Sequence, residues 1–333
     1  MSPRIALVMG DPAGIGPELM AKLLAETPAL NEAAILVLGD RRVLAEGERV
    51  AGVALKLDVV PETKARPSPG RLTMIDTANA DPAEMPTGKV SSLAGRSALD
   101  NFTRALGLAR DGTIDAITFV PFNKEALRSG GNAFEDELSY AANYFGATSR
   151  HGEFNVVDRL WNARVTSHVP LREVADLITE ERLIDRLELT TEAMRAAGFD
   201  APRIAVAALN PHAGDGGAFG REDIDVIAPA VAKARRLGIE VDGPFPSDTV
   251  FVRARDGHYD AVLTMYHDQG QIAIKLLGFD RGVTVLAGLP VPIATPAHGT
   301  AFDIAGKGLA NPEPTRRAFE IACRMAQRAS SRQ

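Results

Sequence analysis

Ile5-Ala-Leu-Val-Met9 runs directly into Gly10-Asp-Pro-Ala-Gly-Ile-Gly-Pro-Glu18 and then into Leu19–Ala25. Five apolar residues without alternation predict a strand buried on both faces, the pattern of a parallel sheet. The glycines predict a tight turn, and the next apolar run predicts a helix. Pro17 suits the first helical turn, and Glu18 suits the positive end of the helix dipole. Strand, loop and helix in that order open an α/β fold. The loop either cradles an anion with its free N–H groups or simply lets helix and strand pack closely. Its spacing is not the G-x-G-x-x-G of a dinucleotide fingerprint.

The same alternation continues outward from this stretch. Ala34–Leu38 and Leu57–Val60 read as strands, and Glu62–Met85, rich in Pro, Asp and Thr, reads as a long irregular excursion. Val90–Arg110 reads as a helix and Ala116–Val120 as a strand ending at Pro121-Phe-Asn-Lys124. A second series follows. Phe154–Val157, Arg164–Ser167, Ile204–Leu209, Ala261–Met265 and Val283–Ala287 read as strands, and Leu171–Leu177, Glu180–Ala197, Ile224–Leu237 and Arg316–Arg328 as helices. No internal repeat is read. The series predicts a mostly parallel sheet covered on both faces, with ligands at the carboxyl ends of strands. Asp11, Asp40 and Lys124 all fall just past predicted strand ends.

The totals narrow the function classes. A length of 333 residues suggests one large or two medium domains. A net charge of −6 supplies no basic field, which disfavours nucleic acid as a partner. The single cysteine, Cys323, precludes an internal disulfide and suits a reducing cytoplasm. No apolar run approaches the roughly 18 residues needed to span a bilayer, and no membrane partner is expected. The N-terminal apolar run breaks at Asp11-Pro12, too early for a signal segment.

Three of the six histidines share one setting: Ser167-His168-Val-Pro170, Pro211-His212-Ala-Gly214 and Tyr266-His267-Asp268. Each follows a predicted strand. Three imidazoles would bind Zn²⁺ or a similar divalent ion and leave a position open for substrate. Asp268 is either a carboxylate that orients an imidazole or a turn residue.

Near the end of the chain stands His298-Gly-Thr-Ala-Phe-Asp-Ile-Ala-Gly-Lys-Gly-Leu-Ala-Asn311. Its glycines allow close backbone approach to a ligand, and His298, Asp303 and Asn311 suit a nucleotide's base and ribose. The stretch resembles the adenine-nucleotide loop of the β-decarboxylating dehydrogenases, the isopropylmalate and isocitrate dehydrogenase superfamily. By that resemblance His298, Gly299, Thr300, Ala301, Asp303 and Asn311 bind NAD or NADP.

Met9–Glu18, Thr166-Ser-His-Val-Pro-Leu171, Asn210-Pro-His-Ala-Gly214, Pro246-Ser-Asp-Thr-Val-Phe251, Tyr266-His-Asp-Gln-Gly270 and His298-Gly-Thr-Ala301 together look like the 4-hydroxythreonine-4-phosphate dehydrogenase (PdxA-type) family. The resemblance covers essentially the whole chain. It implies an isocitrate dehydrogenase-like fold of two α/β/α domains, a cleft between them, and a homodimer sharing its active sites. The expected division is 1–128 with 300–333 against 129–299. His168, His212 and His267 take the positions of the family's metal ligands, with Zn²⁺ first and Mg²⁺, Mn²⁺ or Co²⁺ as alternatives. Lys275 takes that of a substrate lysine. The implied reaction oxidises a secondary alcohol with NAD(P) and then loses CO₂. Lys275, Lys124 and Asp248 are the candidate proton carriers.

The chain also departs from the family pattern. Glu137-Leu138 stands where the family has a His-Thr pair, Thr284 where it has Asn, and Ile293 where it has Arg. Losing a guanidinium removes the group best suited to phosphate. The expectation is therefore an unphosphorylated substrate, such as the cis-dihydrodiol carboxylate of terephthalate breakdown, bound by Glu137, Leu138, Lys275, Thr284 and Ile293. The phosphorylated substrate of the family is the alternative. A metal-dependent lyase or hydrolase without nucleotide, and a silent regulatory protein, are competing classes.

Overall fold

The computed structural model describes residues 2–26, 31–147 and 150–331. The chain divides into two compact units, Met1–Thr148 with Val283–Gln333, and Ser149–Gly282. Both are mixed α/β.

In the first unit, β1 (Arg4–Val8) leads through the glycine loop to α1 (Gly16–Leu24) and then to β2 (Ala34–Gly39). Next come α2 (Arg41–Ala51), β3 (Leu57–Val59), β4 (Leu72–Asp76), α3 (Ser92–Arg110) and β5 (Ala116–Phe119). α4 (Lys124–Ser129) and α5 (Glu137–Phe145) follow. The strand order is β3-β4-β2-β1-β5-β12-β11, where β11 is Val283–Ala287 and β12 is Ile293–Pro296. Pairings are parallel except β11–β12. Neighbours of β1 lie on opposite sides, β2 and β5, so the order reverses there and a crevice opens at the carboxyl ends. The core gathers Phe102, Phe119 and Phe122 at centroid spacings of 4.5–5.5 Å.

The second unit begins with β6 (Gly152–Val157) and β7 (Leu160–Arg164). After a short helical turn at Val174–Leu177 come α6 (Glu180–Ala196), β8 (Ile204–Ala207), α7 (Ala228–Arg236), β9 (Val241–Phe245), α8 (Ser247–Arg255), β10 (Ala261–Thr264) and α9 (His267–Gly278). The order is β6-β7-β10-β8-β9, parallel except β6–β7.

Three expectations change. Leu72–Asp76 is a strand between β2 and β3, although the surrounding Pro, Asp and Thr suggested none. β7 starts at Leu160 and ends at Arg164, because Asp158-Arg159 forms a two-residue hairpin turn with Asp158 at φ 54°. The division of the chain also falls elsewhere: residues 129–148 and 283–299 belong with the first unit. α5 packs on α3, where the Tyr140 and Thr103 hydroxyls lie 2.6 Å apart. β12 extends the sheet from β5, with Thr295 donating to the Phe119 carbonyl at 2.9 Å. The closing helix, α10 (Glu313–Ser330), buries Phe319 and Cys323 in this unit.

A repeat does exist, contrary to the sequence reading. Pro3-Arg-Ile-Ala6 recurs as Pro202-Arg-Ile-Ala205, and Arg110-Asp-Gly-Thr-Ile-Asp-Ala116 as Arg255-Asp-Gly-His-Tyr-Asp-Ala261. The structure gives both copies one geometry. The Arg4 backbone N–H and Nε donate to Asp115 at 2.7 and 3.0 Å, and a third N–H reaches the Gly112 carbonyl at 2.8 Å. Arg203 makes the same contacts to Asp260 at 3.0 and 3.0 Å and to the Gly257 carbonyl at 2.9 Å. The registers match too, Ile5 opposite Ala116 and Ile204 opposite Ala261. Seven residues after each arginine stand Asp11-Pro12 and Asn210-Pro211. Both turns close with an N–H three residues on: Gly14 to the Asp11 carbonyl at 3.1 Å and Ala213 to the Asn210 carbonyl at 3.2 Å. β1 and β8 are therefore equivalent strands, and the glycine loop and the His212 loop leave equivalent edges.

Candidate functional site

The second unit brings two of the three histidines together. Val165 and Thr166 leave β7 pinned to β10: the Thr166 N–H and hydroxyl both donate to the Met265 carbonyl, at 3.1 and 2.8 Å. This carries His168 toward His267, the first residue of α9. The ring centroids lie 5.6 Å apart. Two imidazoles on a tetrahedral ion, with Zn–N about 2.1 Å, would place their centroids about 5 Å apart. Asp268 Oδ1 sits 2.6 Å from His267 Nδ1. A carboxylate on Nδ1 fixes the tautomer that leaves Nε2 free to ligate. The chemistry and spacing of this pair fit a divalent metal.

His212 is placed differently. It stands in a left-handed turn, at φ 53°, with Ala213 and Asp215 also at positive φ. Its nearest ring partner is Phe219, at 6.4 Å. Among the described residues no three His, Cys, Asp or Glu side chains converge on one metal position. Buried Asp223 anchors the base of this turn, accepting from the Leu209 and Asn210 backbone N–H groups at 2.8 and 3.0 Å and from the Asn210 side chain at 2.9 Å. Gln269 joins two strand ends, accepting from the Met265 N–H at 2.6 Å and donating to the Ala208 carbonyl at 2.7 Å. Sequence reasoning passed over both residues, although Gln269 lies inside the Tyr266–Gly270 motif.

In the first unit, the 298–311 stretch is fastened to the glycine loop. The Ile15 N–H donates to the Thr300 carbonyl at 3.0 Å. Gly14 is needed here, because a Cβ on it would stand 2.8 Å from Thr300 Cβ. Thr300 is buried, Ala301 takes φ 42°, and Gly299 and Asp303 are exposed. His298 Nδ1 lies 3.0 Å from the Gly299 carbonyl, which can only accept, so Nδ1 carries the proton. Burial pushes this imidazole below its ordinary value, against the raising effect of that carbonyl, which favours a neutral ring with an accepting Nε2. Asn311 is occupied structurally: its Oδ1 accepts from the Glu313 N–H at 3.0 Å at the start of α10. Further along, Lys22 Nζ donates to the Gly308 and Ala310 carbonyls at 3.0 and 2.7 Å, and Glu18 Oε1 accepts from the Ala310 N–H at 2.8 Å. Their i,i+4 spacing was a signal available in the sequence.

Asp11 lies beneath this loop, fully buried at the end of β1. Its Oδ1 accepts from the Ala13 N–H at 2.8 Å, and its Oδ2 has no partner. Burial pushes the carboxyl up to about 6, against the lowering effect of that N–H.

The remaining candidates divide between the two units. Lys124 opens α4 past the end of β5 and is exposed, as are Asp248 on α8 and Lys275 on α9. Glu137 opens α5, and Leu138 packs against the first unit's core. Thr284 on β11 stands opposite Thr295. Ile293 is wholly buried in that core, so it is a packing residue and not a ligand contact.

Residues 31–322 match the family model described as pyridoxal phosphate biosynthetic protein PdxA. A putative 4-hydroxythreonine-4-phosphate dehydrogenase 2 from Rhizobium meliloti is 51% identical, over 98% of this chain and 94% of its own. A D-threonate 4-phosphate dehydrogenase from Cupriavidus necator is 42% identical, over 97% and 98%. Among solved structures, 4-hydroxythreonine-4-phosphate dehydrogenase from Klebsiella pneumoniae superposes with a TM-score of 0.83 at 40% identity, over 98% and 99%. A terephthalate 1,2-cis-dihydrodiol dehydrogenase from Burkholderia xenovorans reaches 0.66 at 28%, over 95% and 98%. A β-decarboxylating dehydrogenase from Thermococcus kodakarensis, 14% identical with a TM-score of 0.50, over 95% and 81%, shares the fold. The chain belongs to the PdxA family and is an oxidoreductase of the dehydrogenase type.

Proposed function

We propose that this dehydrogenase oxidises the secondary alcohol of a small four-carbon acid carrying a 4-phosphate, using NAD or NADP and a divalent metal. The observation that carries the reading is the His168–His267 pair with Asp268 behind it, on a chain whose 40–51% relatives are named for 4-phosphorylated acids. The expectation of an unphosphorylated ring substrate is withdrawn. Its relative stands at 28% identity, and Ile293, its main support, lies in the core.

His168 and His267, with His212 as third imidazole, would hold the ion, and the His298–Asp303 segment would hold the nucleotide. When bound, the ion supplies polarisation of the substrate oxygen and the nicotinamide supplies the hydride acceptor. Lys275 and Lys124 are the cations available for the substrate's carboxylate and phosphate, and either serves as proton carrier. Asp248 is the acidic alternative. Glu137 at the head of α5 suits a donor at C2, the carbon where the two named substrates differ. Oxidation at C3 makes a β-keto acid. Its C–C bond to the carboxylate then breaks, CO₂ leaves, and the electron pair passes into the enol of the ketone.

The family resemblance also implies a homodimer. On α9, Ile272 and Leu276 are exposed at 61% and 84%, and Phe279, just past its end, at 58%. Ile272 and Leu276 stand at i and i+4 on one face, flanking Lys275 on the helix headed by His267. Apolar stripes of this kind mark interfaces, and a second copy would bring its own α9 to the same place.

Initial rates of NAD(P)H formation test the substrate class. Comparison of 4-hydroxythreonine-4-phosphate, D-threonate 4-phosphate, their dephosphorylated forms and the terephthalate dihydrodiol should show turnover only with the phosphorylated acids, one CO₂ per NAD(P)H. Faster turnover of the dihydrodiol would reject the reading.

A further inference from the structure

The second unit has a cavity of about 360 Å³ at the amino ends of β8, β9 and β10, the edge opposite the one that carries the histidines. Arg203, Arg235, Arg253, His258 and Tyr259 line it, with Glu240 and Asp242. The repeated motif shows which of these the scaffold requires. The Arg203–Asp260–Gly257 clip is present in the same form in the first unit as Arg4–Asp115–Gly112. At the positions equivalent to Arg253 and Tyr259, however, the first unit has Leu108 and Ile114, both buried in its core. The fold therefore closes this corner with apolar side chains when nothing else is asked of it.

The cations are also not equally committed. Arg203 is paired with Asp260, and Arg235 with Asp242 and the Val241 carbonyl. Arg253 has no carboxylate partner among the described residues. It is held by ring faces instead, its guanidinium 4.5 Å from the Phe245 centroid and 5.6 Å from that of Tyr259. Stacking uses the plane of the guanidinium and leaves its N–H edges available. Tyr259 is fixed in turn, its hydroxyl donating to Asp242 Oδ2 at 3.3 Å.

We propose that this cavity binds a small phosphate monoester, with the phosphate on the free edge of Arg253 beside Arg235 and His258. A phosphate offers three acceptor oxygens to donors converging from several side chains, where a carboxylate saturates on one guanidinium. Glu240 and Asp242 accept on the other side, so the body of the ester carries hydroxyl or amino groups. A polyanion would meet these two carboxylates and is disfavoured. The site lies at the opposite strand edge from the proposed chemistry and does not depend on that reading.

Amide hydrogen exchange of the full chain, with glycerol 2-phosphate as probe, locates the binding. The ester should slow exchange in residues 238–242 and 253–259, and inorganic phosphate should compete. Arg253→Leu installs the first unit's residue at this position. It should weaken that protection about tenfold or more, the scale of a lost charge-assisted bidentate contact. Arg253→Gln, closer in length and polarity, serves as the second variant should the first not fold. No slowing at these segments in the wild-type chain, slowing confined to other segments, or equal slowing in a folded variant would overturn the proposal.

Discussion

Replacing Asp11 with Asn should make the protein progressively more stable than the wild type as pH rises. The wild-type carboxyl is fully buried, leaves Oδ2 unpartnered, and is pushed up to about 6 from an ordinary value of 3.8. Between those two values the folded state holds a proton that the unfolded chain has released. Stability contributed by this group is therefore complete below about pH 4 and is lost as pH climbs through 6. A difference of about 2.2 units at about 1.36 kcal/mol each gives a penalty of about 3 kcal/mol above pH 7. Asn keeps the acceptor for the Ala13 N–H and cannot ionise. The second unit already carries Asn210 at the equivalent position, so the turn tolerates the amide. The amide's unpartnered NH₂ adds a cost of about 1–3 kcal/mol, but one that does not change with pH. Urea unfolding of both proteins at several pH values between 4 and 8 separates the two effects. The stability difference should move by about 3 kcal/mol in favour of Asp11→Asn across that range. A difference that stays flat, or moves the other way, would refute a buried, proton-holding Asp11.

Further outcomes follow from other residues. Asp268→Asn removes the carboxylate on His267 Nδ1 and should weaken Zn²⁺ binding by about 10–100-fold in calorimetric titration while leaving the melting temperature nearly unchanged. Gly14→Ala puts a Cβ 2.8 Å from Thr300 Cβ, and should cost about 1–3 kcal/mol of stability and raise the KM for nucleotide more than it lowers kcat. Leu276→Asp should turn a dimer into a monomer in light scattering, and a dimer that persists would move the interface off α9.

Much of the fold was legible because the buried strands announce themselves. Ile5–Met9 and Ile204–Leu209 are uninterrupted apolar runs, Val283–Ala287 is broken only by Thr284, and each contains an observed strand. β4 and β7 were obscured by local chemistry. Leu72–Asp76 is a short apolar run within a polar tract, and the β6–β7 turn lacks the Asn-Gly signal of a tight hairpin. The internal repeat escaped notice because only four residues at one end and five interrupted ones at the other recur, at two different offsets. Hydrogen bonds, not residue identity, reveal it.

The site was legible in kind but not in detail. His168 and His267 meet because Thr166 is bonded to Met265, a contact across 99 residues that no local pattern encodes. The spacing of His212 from that pair depends on six consecutive residues at positive φ, 212–217, of which only three are glycine. Ile293 misled because a substitution within a motif was taken as a change in a pocket, whereas the side chain lies in the first unit's apolar core.

The central claim is that this chain couples a histidine-bound metal to nucleotide reduction on a 4-phosphorylated acid. The most direct measurement is the initial rate of NAD(P)H formation from D-threonate 4-phosphate and 4-hydroxythreonine-4-phosphate, taken before chelation, after it, and after Zn²⁺ is restored. The account predicts turnover of at least one of them, lost on chelation and regained with the metal, and lost in His168→Ala and His267→Ala proteins that still fold. A rate that survives both chelation and those substitutions would contradict it.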